Sequence, residues 1–252
     1  MFRGRLFTVL LAAFALPAAT AEPLTLAVAS NFSIPARELA TAFQGRSGHD
    51  VRIAAGSTGK LYAQIINGAP FDIFLAADAA RPRLLVESGH GIKGSRFTFA
   101  IGSLVLWSRD PALAGADCRH ALERLGSRKL AIANPQTAPY GSAARAFLQS
   151  IGLWKDVQAQ LVYGENIAQT LQFAATGNAS LGLIAGSHTM ADGLPEATCY
   201  WPVPAFSHPP LEQQAVLLQR AEDNAAAQAF MRFLRDTEAR DIIVSSGYAV
   251  AQ

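Results

Sequence analysis

Cysteine is nearly missing: Cys118 and Cys199 are the only two in 252 residues. Neither sits at the short spacing of a zinc module or a redox pair, so both classes are excluded. Where disulfides persist the two can bridge, or they can remain buried thiols, and the sequence leaves both open. The five histidines (His49, His90, His120, His188 and His208) are scattered without a cluster. Each reads as a surface or packing residue, and no directly coordinated metal and no cofactor are expected. No basic run occurs, which removes the electrostatic footprint of a partner such as nucleic acid or an anionic membrane. A Gly-x-Ser-x-Gly elbow is lacking too, and no nucleophile stands beside a base in a recognisable motif, so no catalytic residue is assigned and an enzyme is not expected. Beyond the N-terminus no apolar run approaches the roughly 20 residues that span a bilayer.

The one long apolar run covers residues 6–16, after Arg3 and Arg5 and before Pro17 and the small-residue stretch Ala19-Thr20-Ala21. That is the layout of a secretory signal peptide over residues 1–21, cleaved after Ala21. The mature chain is expected outside the cytoplasm, in the periplasm. Removing Arg3 and Arg5 lowers Lys+Arg from 21 to 19, equal to the 19 Asp+Glu. An anion bound by a neutral chain must be held mostly by backbone and hydroxyl donors.

Short apolar runs then alternate with helical patterns, the signature of α/β architecture with mostly parallel sheets. Strands are expected at 24–29, 51–55, 72–76, 129–133, 159–162, 181–184 and 214–218. Helices are expected at 35–43 and 60–67, another between Asp78 as cap and Gly89 as stop, and one at 225–236 with Phe230, Phe233 and Leu234 on one face. A β-rich run at 98–107, interrupted by Gly102, reads as a crossing between two lobes, and 214–218 can carry the backbone back. The economical arrangement is lobe 1 from 22–102 and 212–252, and lobe 2 from 103–211.

Four segments share a strand, a short turn of small or hydroxyl residues, and a helix: Ala29-Ser30-Asn31-Phe32-Ser33, Gly56-Ser57-Thr58-Gly59-Lys60, Pro139-Tyr140-Gly141-Ser142 and Glu165-Asn166-Ile167. A helix N-terminus exposes unpaired N–H groups and a partial positive charge, a natural seat for an anion. In open α/β sheets such ends gather on one edge. Ser, Thr and Asn are also ordinary N-caps, so a single turn decides nothing. The second segment is not a phosphate loop, because Ala54 stands where that motif needs glycine and Leu61 where it needs Ser or Thr. Asp72 and Asp78 read as structural carboxylates, Lys60 and Arg37 as solvated.

Read in order, Ala27-Val28-Ala29-Ser30-Asn31-Phe32, Gly56-Ser57-Thr58-Gly59, Asn67-Gly68-Ala69-Pro70-Phe71-Asp72-Ile73-Phe74-Leu75-Ala76-Ala77-Asp78, Asn134-Pro135-Gln136-Thr137-Ala138-Pro139-Tyr140-Gly141, Glu165-Asn166-Ile167 and Ser246-Gly247-Tyr248 resemble the periplasmic molybdate-binding proteins of ABC uptake systems. The resemblance implies a two-lobed, type II-like binding-protein fold, each lobe a mostly parallel sheet flanked by helices, joined by two crossing strands. It implies a monomer that closes over molybdate or tungstate and delivers it to a membrane permease. Ser30 and Thr58 would donate through hydroxyl and backbone, Tyr140 and Ile167 through backbone N–H, and Asn31 would be a further ligand. Some members use a tyrosine hydroxyl where this chain has Ala185, and Asn31 is expected to replace it. Sulfate or thiosulfate on the same fold is the alternative, since fold alone does not choose the solute.

Overall fold

The computed structural model describes residues 23–191 and 193–250, so the expected signal segment lies outside the described residues. Along the chain run β1 (Leu24–Ala29), α1 (Ser33–Ser47), β2 (Val51–Gly56), α2 (Thr58–Ile66), β3 (Ile73–Ala76), α3 (Ala80–Glu87) and β4 (Phe97–Gly102). A single residue, Ser103, separates β4 from β5 (Leu104–Ser108). There follow α4 (Cys118–Glu123), β6 (Leu130–Ala133), α5 (Pro139–Ser150), β7 (Leu161–Gly164), α6 (Ile167–Ala175), β8 (Leu181–Ala185) and β9 (Cys199–Pro202). The chain ends with β10 (Leu211–Leu217), α7 (Ala225–Phe233) and α8 (Thr237–Ser245).

Two five-stranded sheets result, ordered β2-β1-β3-β10-β4 and β7-β6-β8-β5-β9. In the first, β1 pairs in parallel with β2 and β3, and β10 runs antiparallel between β3 and β4. The second repeats the plan: β6 is parallel to β7 and β8, and β5 is antiparallel to β8 and β9. The expected crossing breaks at Ser103 into one strand of each sheet, and β10 returns the backbone to the first.

Burial explains the apolar runs. Leu24, Leu26 and Val28 of β1 pack with Leu39, Phe43, Phe230 and Phe233, while Ala27 and Phe74 pack with Leu61, Ile65 and Leu85. Helices cover both faces, so the central strands carry no polar alternation. Edge strand β2 is only half covered, with Arg52 and Ala55 exposed.

Boundaries differ where local signals are weak. Helix α1 starts at Ser33, ahead of the expected position, because Pro35 falls within the first turn, where a missing N–H costs nothing. The expected helix at 225–236 is α7, and a further helix, α8, follows it. Gly68 and Gly89 end their helices at positive φ, 85° and 76°. Cys118, at the start of α4, is bridged to Cys199 of β9 across 81 residues, which closes the choice between bridge and thiols.

Candidate functional site

The four turns meet. Gly59, at the start of α2, donates its N–H to the Thr137 carbonyl ahead of α5, at 2.8 Å. Lys60, one residue on, reaches Glu165 ahead of α6, also at 2.8 Å. Lys60 therefore bridges the two lobes and is not merely solvated. Helix α6 in turn lies against the 3-10 turn Ser30–Phe32 that follows β1. Two helix starts from each lobe thus lie against one another, and Ser30, Asn31, Thr58, Tyr140 and Ile167 are all buried.

Each turn leaves donors open. In α6 the Asn166 side chain caps the N–H groups of Ala168 and Gln169, which leaves the Ile167 N–H as the first-turn donor without a cap. In α5 the first helical residue is Pro139, so Tyr140 N–H is the first donor the helix presents. In α2 the N-cap Ser57 makes no side-chain cap, and its buried hydroxyl has no partner among the described residues. The Thr58 hydroxyl accepts from Ala77 N–H at 3.2 Å and keeps its own proton to donate. Ser30 gives its carbonyl to the Ser33 hydroxyl, while its own hydroxyl bonds to no described residue. The nearby carboxylates turn away: Asp78 accepts from Arg81 N–H and pairs with its guanidinium, and Glu165 faces Lys60. Among the described residues, the seat these turns form offers donors and no charged acceptor.

Behind it lies a polar network that the sequence did not disclose. Asn31 donates through its amide nitrogen to Gln213 Oε1 at 2.8 Å and to the Tyr248 hydroxyl at 2.9 Å. Tyr248 donates to the Asn31 carbonyl at 2.8 Å, and Ser187 donates to Tyr248 at 3.0 Å. Both amide hydrogens of Asn31 are engaged, so any further donor from this residue is its backbone N–H. Ala185 ends β8, and Ser187, two residues later, supplies that region's hydroxyl to the network. Tyr140 sends its ring inward beside Tyr248 and onto Gly102, where a Cβ would stand 2.1 Å from the phenol oxygen. Desolvation pushes the Tyr140 hydroxyl well above its usual pKa and that of Tyr248 up to about 12. Both phenols remain neutral and bring no negative charge to the seat.

His188, on the 3-10 turn Gly186–Met190, is buried beside the Ser30 backbone. Burial lowers its pKa from 6.5 to about 4, against a smaller upward pull from Ser30. The folded protein keeps the ring neutral while the unfolded chain protonates it below pH 6.5. Its contribution to stability is therefore complete above pH 6.5 and is lost as pH falls toward 4. Wild-type unfolding free energy is expected to drop by about 1.4 kcal/mol per pH unit across that window relative to His188→Gln. Parallel urea-denaturation curves for the two proteins would show that His188 is not the group responsible.

The model of the bacterial extracellular solute-binding proteins matches residues 24–249. The molybdate-binding protein ModA of Rhodobacter capsulatus is 44% identical over 234 residues, covering 93% of this chain and 90% of that protein. ModA of Azotobacter vinelandii is 43% identical, with 92% of each chain covered. The solved structure of the Azotobacter vinelandii periplasmic molybdate-binding protein superposes with a TM-score of 0.85 at 37% identity, over 91% of this chain and all of that one. The chain belongs to the bacterial extracellular solute-binding protein family.

Proposed function

We propose that this protein captures molybdate, and tungstate equally, between its lobes in the periplasm and hands it to the membrane permease of an ABC transporter. Its signal peptide, residues 1–21, is removed first. It works as a monomer without catalysis or cofactor, with lobe 1 from 22–102 and 212–252 and lobe 2 from 103–211. The ligands are Ser30, Asn31, Thr58, Tyr140 and Ile167, to which the open hydroxyl of Ser57 is added.

The observation that carries this reading is a buried meeting point of four helix starts with open donors and no charged acceptor. A hydrogen bond to a charged group contributes about 1.5–3 kcal/mol net, so five or six suffice for tight binding without a buried cation. A seat made of donors suits a fully deprotonated oxyanion and disfavours hydrogen phosphate, whose proton needs an acceptor. The relatives that bear the name molybdate-binding protein favour molybdate over sulfate.

The test is titration calorimetry on residues 22–252 with molybdate, tungstate, sulfate and phosphate in one buffer. One-to-one binding of molybdate and tungstate is expected, with sulfate at least about a hundredfold weaker and Thr58→Val weakened about tenfold or more. Binding of sulfate alone would reassign the solute. No binding to a folded sample would reduce the four turns to helix caps.

A further inference from the structure

We propose that Gly59 is the mechanical stop for lobe closure and so a residue that sets which oxyanion size is accepted; this rests on the anion seat described above. Gly59 has no positive φ, so backbone conformation does not explain glycine there. Space does. A Cβ on Gly59 would stand 2.8 Å from the Thr137 carbonyl oxygen and 3.0 Å from both Thr137 Cα and the Arg81 guanidinium. The first two are main-chain atoms of the opposite lobe, and no rotamer change moves them. The Gly59 N–H to Thr137 carbonyl bond, at 2.8 Å, holds the two backbones in direct contact.

Position gives this contact its consequence. Gly59 follows Thr58, and Thr137 stands three residues before Tyr140, so the contact joins two of the donor groups that face the anion from opposite lobes. The separation of those donors is fixed by backbone against backbone. Side chains in such a contact would adjust to the ligand; two main chains do not. Arg81, held by Asp78, adds its own bond across the gap to the Gln136 carbonyl at 3.4 Å, and Lys60–Glu165 lies beside it at the surface. An anion smaller than the stopped cavity leaves donors on one lobe unsatisfied, because the lobes cannot follow it inward. That is a size filter for ions of equal charge and shape, such as sulfate against molybdate.

Gly59→Ala moves the stop outward by several tenths of an ångström. The expected result is at least a tenfold loss of molybdate affinity and a larger factor of loss for sulfate, so that the molybdate-to-sulfate ratio rises. Lys60→Ala, which cuts the surface pair and leaves the stop intact, is expected to change both affinities less than threefold. The ligand-free Gly59→Ala protein should melt no lower than wild type, because alanine favours the helix, the end of the Arg81 side chain can swing aside, and the main-chain clash with Thr137 exists only when the lobes meet. Equal affinities in wild type and Gly59→Ala, or losses by the same factor for both anions, would overturn the stop while leaving the seat intact. Failure of the wild-type protein to bind either anion would overturn both.

Discussion

Asn31→Asp is expected to weaken molybdate binding at least about a thousandfold near pH 8, or about 4 kcal/mol. Two effects add. The substitution removes the amide hydrogens given to Gln213 and Tyr248 and leaves their oxygens facing a carboxylate. It also places negative charge on the wall of a seat built for a dianion. At about 5 Å and an effective dielectric near 20, that repulsion is roughly 6–7 kcal/mol. The carboxyl can escape by taking a proton, so the loss should shrink as pH falls toward 5. Asn31→Leu, neutral and of similar size, should lose about ten- to a hundredfold with no such pH trend. Calorimetry on the three proteins at pH 5, 6.5 and 8 checks this, and an Asp variant within tenfold of wild type at pH 8 would remove Asn31 from the seat.

Gly141→Ala is expected to destabilise the ligand-free protein by about 4 kcal/mol, above the usual 1–3 kcal/mol of an overpacked site. The added methyl would stand 2.2 Å from the Ala133 carbonyl oxygen and under 3 Å from the Ala133 and Asn134 carbonyl carbons. All three are backbone atoms, at and just beyond the end of β6, so relief requires α5 to lift from its strand. The same lift withdraws the Tyr140 N–H from the seat, so surviving folded protein should also bind more weakly. Urea unfolding gives the first quantity, and a loss under 1 kcal/mol would mean that α5 shifts freely. Unlike Gly59, Gly141 clashes whether the lobes are open or closed, and the ligand-free melting behaviour should separate the two variants.

The proposed seat was legible in sequence to the extent that it is built from backbone. A strand, a small-residue turn and a helix start can be read locally, and Ser30, Thr58, Tyr140 and Ile167 follow from that pattern together with the family resemblance. What holds Asn31 was not legible. Gln213 and Tyr248 lie 182 and 217 residues away, and hydrogen bonds at that separation leave no local periodicity. The resemblance touched Tyr248 only as part of an ending, without a role. Ser57 reads as an ordinary N-cap, and only its uncapped, buried hydroxyl marks it as different. Among the elements, α4 is too short for a helical repeat to emerge, and β9 is a four-residue edge strand ending in proline, which suits an edge and weakens its signal. Helix α8 follows α7 after only three residues, so the two merge with the chain end in a sequence reading.

The position of β10 also orders the birth of the fold. It lies between β3 and β4 in the first sheet, yet it is the last strand to be made. Until residue 217 is available, β3 and β4 each present a row of unpaired peptide groups, and the first lobe has no way to complete itself. The second lobe carries all its own strands in one continuous stretch from β5 to β9, so it can settle first. Contacts of such long sequence separation slow folding. The half of the protein that begins first is therefore the half that finishes last.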